Sequence, residues 1–235
     1  MQEPQFAVTD HQFKMIMSGS SAAGKSTILK AMKQSGFEGS YTQTRDIVQD
    51  NLLVEVKLAG HLYSIKLNTW DIPGAVLSLP IAQTYFRNAA VVLIVYDCTQ
   101  LSSLTSSIQY FQKIQPLTVN SLLYLVGTKN DQTSSEQPQT QTNAEQFSTQ
   151  FNMKHVQINA TNESQVQNMI NSIAKDALRN KLGWSEEFDE LSMNSYSPQL
   201  RCAVKVRESG VLNSQVVEPD VTHNLEKKEK KGCCK

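Results

Sequence analysis

The chain carries no net charge, because 22 Lys and Arg balance 22 Asp and Glu. That balance argues against a protein that grips nucleic acid through a basic surface. No long uncharged apolar run is present, so no membrane span is expected. The opening residues, MQEPQFAVTDHQ, lack the basic-then-apolar pattern of a secretory signal. Position 2 is Gln rather than Gly, so N-myristoylation is not expected either. With no such signal, a reducing cytosolic compartment is expected, and the four cysteines are read as thiols rather than disulfides. Cys98 and Cys202 stand alone, whereas Cys233 and Cys234 are adjacent. There is no internal repeat. What remains is a chain of 235 residues, 40% apolar, long enough for one α/β domain with a sufficient core and a tail.

Short apolar runs punctuate that domain. FKMIM, from Phe13, fits a buried strand, and KSTILKAMKQ follows with Ile28, Leu29 and Met32 on one helical face and Gly36 as a stop. LLVEVKLAG and LYSIKLNTW alternate on either side of a turn at Gly60, which predicts a hairpin. AVVLIVYD, from Ala90, is continuously apolar, as a parallel strand buried on both faces should be, and SLLYLVGTKND repeats the pattern from Ser121. KHVQIN, from Lys154, is a weaker strand. Helical spacing spans Leu104 to Ile114, Ala144 to Phe151 and Val166 to Leu178. Alternating strands and helices predict a doubly wound, mostly parallel six-stranded sheet with helices on both faces. The expected division is an extension over 1–11, the domain over 12–180 and a polar tail over 181–235. Within that tail Trp184, Phe188 and Leu191 share one helical face, which suits either a last turn packed on the domain or a partner-binding segment.

Three motifs carry chemistry. GSSAAGKS matches G-x-x-x-x-G-K-[ST] between a predicted strand and a predicted helix. Backbone N–H groups must wrap phosphates there, so Gly19, Ser20, Ser21, Ala22, Ala23 and Gly24 are suitably small, and the helix that opens with Lys25, Ser26 and Thr27 adds partial positive charge. Lys25 is expected at the β- and γ-phosphates and Ser26 on Mg²⁺. The competing reading is a Gly/Ser turn with an exposed lysine. DIPG leaves the end of an apolar strand, so Asp71 is expected to hold Mg²⁺ through water and the Gly74 N–H to meet a γ-phosphate; the competing reading makes Asp71 a helix cap. TKND leaves the next such strand. The Asp131 carboxylate can accept from guanine N1 and N2, the Lys129 stem can cover the base, and adenine lacks that donor pair.

In this order the three motifs resemble the Ras superfamily of small GTPases, nearest its Rab branch, over roughly Gln12 to Arg179. WDIPGAVLSLPIAQTYFRNA aligns without gaps to the Rab pattern that runs from Trp-Asp through Gly-Gln to Tyr-Tyr-Arg-Gly-Ala, matching at Trp70, Asp71, Gly74, Tyr85, Arg87 and Ala89. The resemblance implies that Phe37 stacks on the guanine, keeps the family spacing to Tyr41, and that Thr44 binds Mg²⁺, with Thr42 competing because TRD replaces Thr-Ile-Gly. It also implies that INATN places the Ala160 N–H toward guanine O6, between Asn159 and Thr161. Four departures stand out. Ala75 occupies the position of the water-holding catalytic Gln, Ala22 stands where Rab proteins usually have Gly, Thr128 replaces Asn, and Thr161 replaces Lys.

The end of the sequence, KKEKKGCCK, resembles the doubly geranylgeranylated Rab terminus, with Cys233 and Cys234 as lipid acceptors. Gly232 sits where a C-a-a-X box needs Cys. Two lipids anchor stably where one does not. From Leu225 onward there are five Lys against two Glu, and each basic group near an anionic leaflet adds on the order of 1 kcal/mol. The resemblance thus implies a GTP/GDP switch that uses Mg²⁺, with slow intrinsic hydrolysis, on the cytoplasmic face of internal membranes and cycling with the cytosol. Its implied partners are effectors, which would read Trp70, Tyr85 or Phe86, an exchange factor, a GTPase-activating protein, a prenylation escort and a GDP-dissociation inhibitor, and no nucleic acid. The alternatives are a non-hydrolysing GTP-binding pseudo-GTPase and, more remotely, a P-loop ATPase or kinase.

Overall fold

A computed structural model describes residues 9–33, 46–73 and 82–184. The elements follow one another as β1 (Thr9–Gly19), α1 (Lys25–Met32), β2 (Val48–Leu58), β3 (His61–Asp71), α2 (Ala82–Phe86), β4 (Val91–Asp97), α3 (Leu101–Ile114), β5 (Leu122–Thr128), α4 (Gln137–Gln150), β6 (Lys154–Gln157) and α5 (Glu163–Leu182). The six strands form one sheet in the order β2-β3-β1-β4-β5-β6. Among the described residues, the β2–β3 pair alone is antiparallel. The expected α/β fold is therefore the observed one.

The two sheet faces are written into the strands at period 2. Met15, Met17, Val91, Leu93 and Val95 point to one face and pack with Ile28, Met32, Ile170, Ile173 and Ala177 from α1 and α5. Ile16, Val92, Ile94 and Tyr96 point to the other and pack with Phe86, Leu104, Phe111, Ala144 and Phe147 from α2, α3 and α4. β4 is buried along its whole length, as its unbroken apolar run requires. In the hairpin, Leu58 pairs with His61, leaving Ala59 and Gly60 as a two-residue turn with φ 48° and 80°.

Boundaries differ where backbone pairing or capping, rather than apolar period, decides them. β1 begins at Thr9, ahead of its apolar run, because Thr9 to Gln12 ladder onto β3. α4 begins at Gln137, with Pro138 in its first turn, well before its first buried apolar residue, Ala144. α5 begins at Glu163, where the Asn162 side chain accepts from the Gln165 N–H at 3.2 Å. It ends at Leu182 on Gly183, whose φ is 67°, with the Trp184 N–H bonded to Arg179 O at 3.0 Å. Trp184 then packs, half-buried, on the α1/α5 core, while Phe188 and Leu191 lie outside the described residues.

The chain leaves β1 toward β3 and β2 on one side and later enters β4 on the other. The C-terminal ends of β1 and β4 therefore border the point where strand order reverses, the usual crevice for a ligand in such sheets.

Candidate functional site

The loop after β1 opens at that crevice. Gly19 has φ 141°, and a Cβ built on it would lie 2.0 Å from the Val95 carbonyl oxygen of β4, so no larger residue fits. Gly24 has φ 88° and leads into α1, and a Cβ there would sit 3.4 Å from the Thr128 side chain. Between them Ser21 and Ala22 are exposed and Ala23 is buried. Ala22 adopts φ 60°, a left-handed conformation that an L side chain resists. This is the position at which the resemblance has glycine.

Lys25 is only 6% exposed, which removes the reading of an exposed lysine on a turn. Its Nζ donates to Gly19 O at 3.0 Å and to Ser20 O at 2.7 Å. Burial pulls its pKa down, and the charge of Asp71 pushes it back up. Asp71, at the end of β3, is not a helix cap: its Oδ2 accepts from the Ser26 hydroxyl at 2.5 Å. Burial pushes the Asp71 carboxyl above its ordinary range, against the Ser26 hydrogen bond and the Lys25 charge. Its Oδ1 is buried with no hydrogen-bond partner among the described residues. A hydroxyl and a carboxylate with an unused lone pair are the hard oxygen donors that Mg²⁺ takes, so Ser26 and Asp71 fit that ion. Thr27 follows in the same helical turn, half-buried.

The other side of the crevice is built from β4 and β5. Thr128 is fully buried, and its hydroxyl lies 2.8 Å from Ala23 O, to which it donates, and 3.1 Å from Tyr96 O, tying the end of β5 to the loop after β1. Lys129 takes φ 57°, and its Nζ lies 2.6 Å from Asp97 Oδ2. The other oxygen, Oδ1, accepts the Thr99 N–H at 2.9 Å and the Thr99 hydroxyl at 2.7 Å. Burial would raise the Asp97 pKa, but the bonds to Lys129 and Thr99 prevail and hold the carboxyl below its usual range. Asp131 follows on an exposed turn. After β6 the Ile158 N–H donates to Gly127 O at 2.8 Å, which brings the next loop beside β5. In that loop Asn159 Oδ1 accepts the Thr161 N–H at 2.8 Å and its hydroxyl at 2.7 Å, with Ala160 buried between them.

Asp97 was missed by sequence reasoning, although it ends an apolar strand just as Asp71 does. Ser103 and Ser107, buried beneath the phosphate loop, gave no signal at all. Conversely, the resemblance implies that effectors read Trp70, Tyr85 or Phe86, and the structure corrects this for Phe86. Phe86 is fully buried against the α3 side of the sheet. Trp70 and Tyr85 are half-buried with ring centroids 5.9 Å apart, and the Lys14 ammonium lies 5.3 Å from the Trp70 centroid. Phe37, Tyr41, Thr42, Thr44, Gly74, Ala75, Cys233 and Cys234 lie outside the described residues. Among those described, no helix is long and apolar enough to cross a membrane.

Comparison with known proteins agrees with this geometry. A model of the Ras family matches residues 14–179. Ras-related protein RABD1 of Arabidopsis thaliana is 31% identical over 134 residues, covering 57% of this chain and 63% of that one, less than two thirds of its length. Ras-related protein RABD2b of the same plant is 31% identical over 161 residues, 67% of this chain and 76% of the relative. Ras-related protein Rab-1D of Dictyostelium discoideum is 29% identical over 192 residues, 79% and 90%.

Proposed function

The chain belongs to the Ras family and is a divergent, Rab-like GTPase within it, and from that premise we propose that it is a GTP/GDP switch that recruits effectors on internal membranes in vesicle traffic and turns GTP over slowly. The observation that carries the nucleotide reading is the buried Lys25 beside the Ser26–Asp71 pair at the mouth of the β1/β4 crevice. A lysine held by two loop carbonyls is poised for a polyphosphate, whose charge it would meet in place of water. Ser26 and Asp71 would hold Mg²⁺, joined by Thr44 or Thr42 of the first switch; the ion, when bound, neutralises phosphate charge. Asp97 holds Lys129 by its ammonium, which leaves the lysine stem free to cover a base. Asp131 would then accept from guanine N1 and N2, the Ala160 N–H would reach O6, and Phe37 would stack on the ring.

Catalysis in this family is largely positioning of water and stabilisation of charge. Ala75 has no side-chain hydrogen bond to give, so unaided hydrolysis is placed at or below the roughly 10⁻⁴ s⁻¹ of unassisted Ras. A GTPase-activating protein would have to bring the missing group. A second reading rests on the same residue: a pseudo-GTPase that stays loaded and serves as a binding module. The Gly74 N–H would couple the γ-phosphate to the following segment, so effectors would sense the nucleotide near Trp70 and Tyr85. Cys233 and Cys234 would carry the lipid anchor, with escort and GDP-dissociation-inhibitor proteins moving the chain between cytosol and the cytoplasmic face of membranes.

Competition between GTP, ATP and XTP for the purified protein tests the core of this. GTP should displace a bound fluorescent GDP, ATP should not, and Asp131→Asn should shift preference toward XTP. Equal competition by ATP and GTP in the wild type would refute it.

A further inference from the structure

Two serines of α3 are bonded to the phosphate loop rather than to their own helix. Ser103 and Ser107 lie one turn apart on the buried face of α3. Ser107 Oγ accepts the Ser20 N–H at 3.1 Å and donates to Val95 O at 2.9 Å. Ser103 Oγ accepts the Asp97 N–H at 2.9 Å and shares a hydrogen bond with the Ser20 hydroxyl at 2.6 Å. A hydroxyl has one hydrogen. The proton of Ser107 is committed to Val95 O, so its lone pair is the acceptor for Ser20.

The Ser20 N–H and the Gly19 C=O belong to the same peptide unit. That unit is planar, and because it is trans its N–H and C=O point in opposite directions. Holding the N–H on Ser107 therefore fixes the direction of the Gly19 carbonyl on the far side. That carbonyl and the next one, of Ser20, are the two that hold the Lys25 ammonium. Ser107 also bonds the Val95 carbonyl that occupies the space a Gly19 Cβ would need, so the peptide is held between the two.

We propose that Ser107, assisted by Ser103, is a positioning residue for Lys25: it locks the Gly19–Ser20 peptide plane and thereby sets how long a β-phosphate is retained. The proposal rests on the nucleotide reading of this crevice and deepens it. A network that merely docks α3 onto the sheet would affect stability without distinguishing nucleotides by their phosphates. Positioning of Lys25 predicts that distinction, because GMP has no β-phosphate for Lys25 to meet.

The test uses the full chain and a fluorescent GDP, with unlabelled GDP and GMP as competitors. Ser107→Ala should release fluorescent GDP roughly tenfold faster, the scale of one buried hydrogen bond left unmade, while GMP affinity changes less than about twofold. Ser102→Ala, on the exposed side of the same helix, should behave as wild type. If Ser107→Ala lacks native far-UV circular dichroism, the same comparison is made with Ser107→Cys, which fills the same space but weakens the hydrogen bond to the Ser20 N–H. Unchanged GDP release in a folded variant, or equal weakening of GDP and GMP, overturns the proposal. A wild type that retains no GDP would instead overturn the nucleotide reading itself.

Discussion

Replacing Ala22 with glycine should make the protein more stable, and the same replacement at Ala23 should make it less so. Ala22 sits at φ 60° with its methyl exposed. Relief of a left-handed L-residue is worth roughly 1–2 kcal/mol, and the added chain freedom of glycine costs about 0.5–1 kcal/mol. No burial is lost, because the methyl faces solvent. The net gain is about 0.7 kcal/mol, an upward Tm shift of about 1–3 °C for a domain of this size. Ala23 is the reverse case. It is absent from the positive-φ residues and is only 1% exposed, so glycine relieves nothing, forfeits about 0.8 kcal/mol of burial and adds the same entropy cost. The loss is about 1.5 kcal/mol, or about 3–6 °C. Thermal unfolding should be followed with GDP and Mg²⁺ in equal excess and again after their removal, since a ligand bound to the native state adds its own stabilisation. An Ala22→Gly variant that melts at or below wild type after ligand removal would show that the loop backbone holds no strain at this position.

Ala75→Gln should speed single-turnover hydrolysis of bound GTP; an unchanged rate would mean that another group already holds the water. Exchanging both Cys233 and Cys234 for serine should leave the protein in the soluble fraction of a cell lysate, and a fully membrane-bound double variant would place the anchor elsewhere. His155 is bonded through Nε2 to the buried Tyr96 hydroxyl at 2.8 Å, and burial pulls its pKa below the ordinary value of 6.5, against the opposing charge of Glu145. A depressed histidine keeps its contribution above about pH 6.5 and loses it as pH falls, because the unfolded chain takes up the proton first. The urea midpoint of the wild type should therefore fall more between about pH 7 and pH 5 than that of His155→Gln, and equal falls in both would refute the assignment.

The outline of the candidate site was legible because it depends on local chemistry. A phosphate loop needs small residues between a strand and a helix, and GSSAAGKS displays them in order. Asp71 and Asp131 could be singled out because each follows the end of an apolar run, where a parallel sheet delivers its loops to one edge. The expected edges of α4 and α5 were too short for an equally local reason. Their first turns are polar, and an N-terminus is set by caps and backbone pairing rather than by apolar period.

The sequence by itself determined the alternation of strands and helices, the two-faced burial of the central strands and the order of the three motif loops, since period and apolar content are properties of neighbouring residues. Only the tertiary structure decided which distant groups meet. Ser26 finds Asp71 across 45 residues, Lys129 finds Asp97 across 32, and Ser20 finds Ser107 across 87. It also decided that Lys25 is buried, that Phe86 is core rather than surface, and that Gly19 is required because a strand carbonyl occupies the space of its missing side chain. A hydrogen bond between residues far apart leaves no periodic trace in the chain. It exists because the sheet places β4 beside β1, and that adjacency is a property of the whole fold.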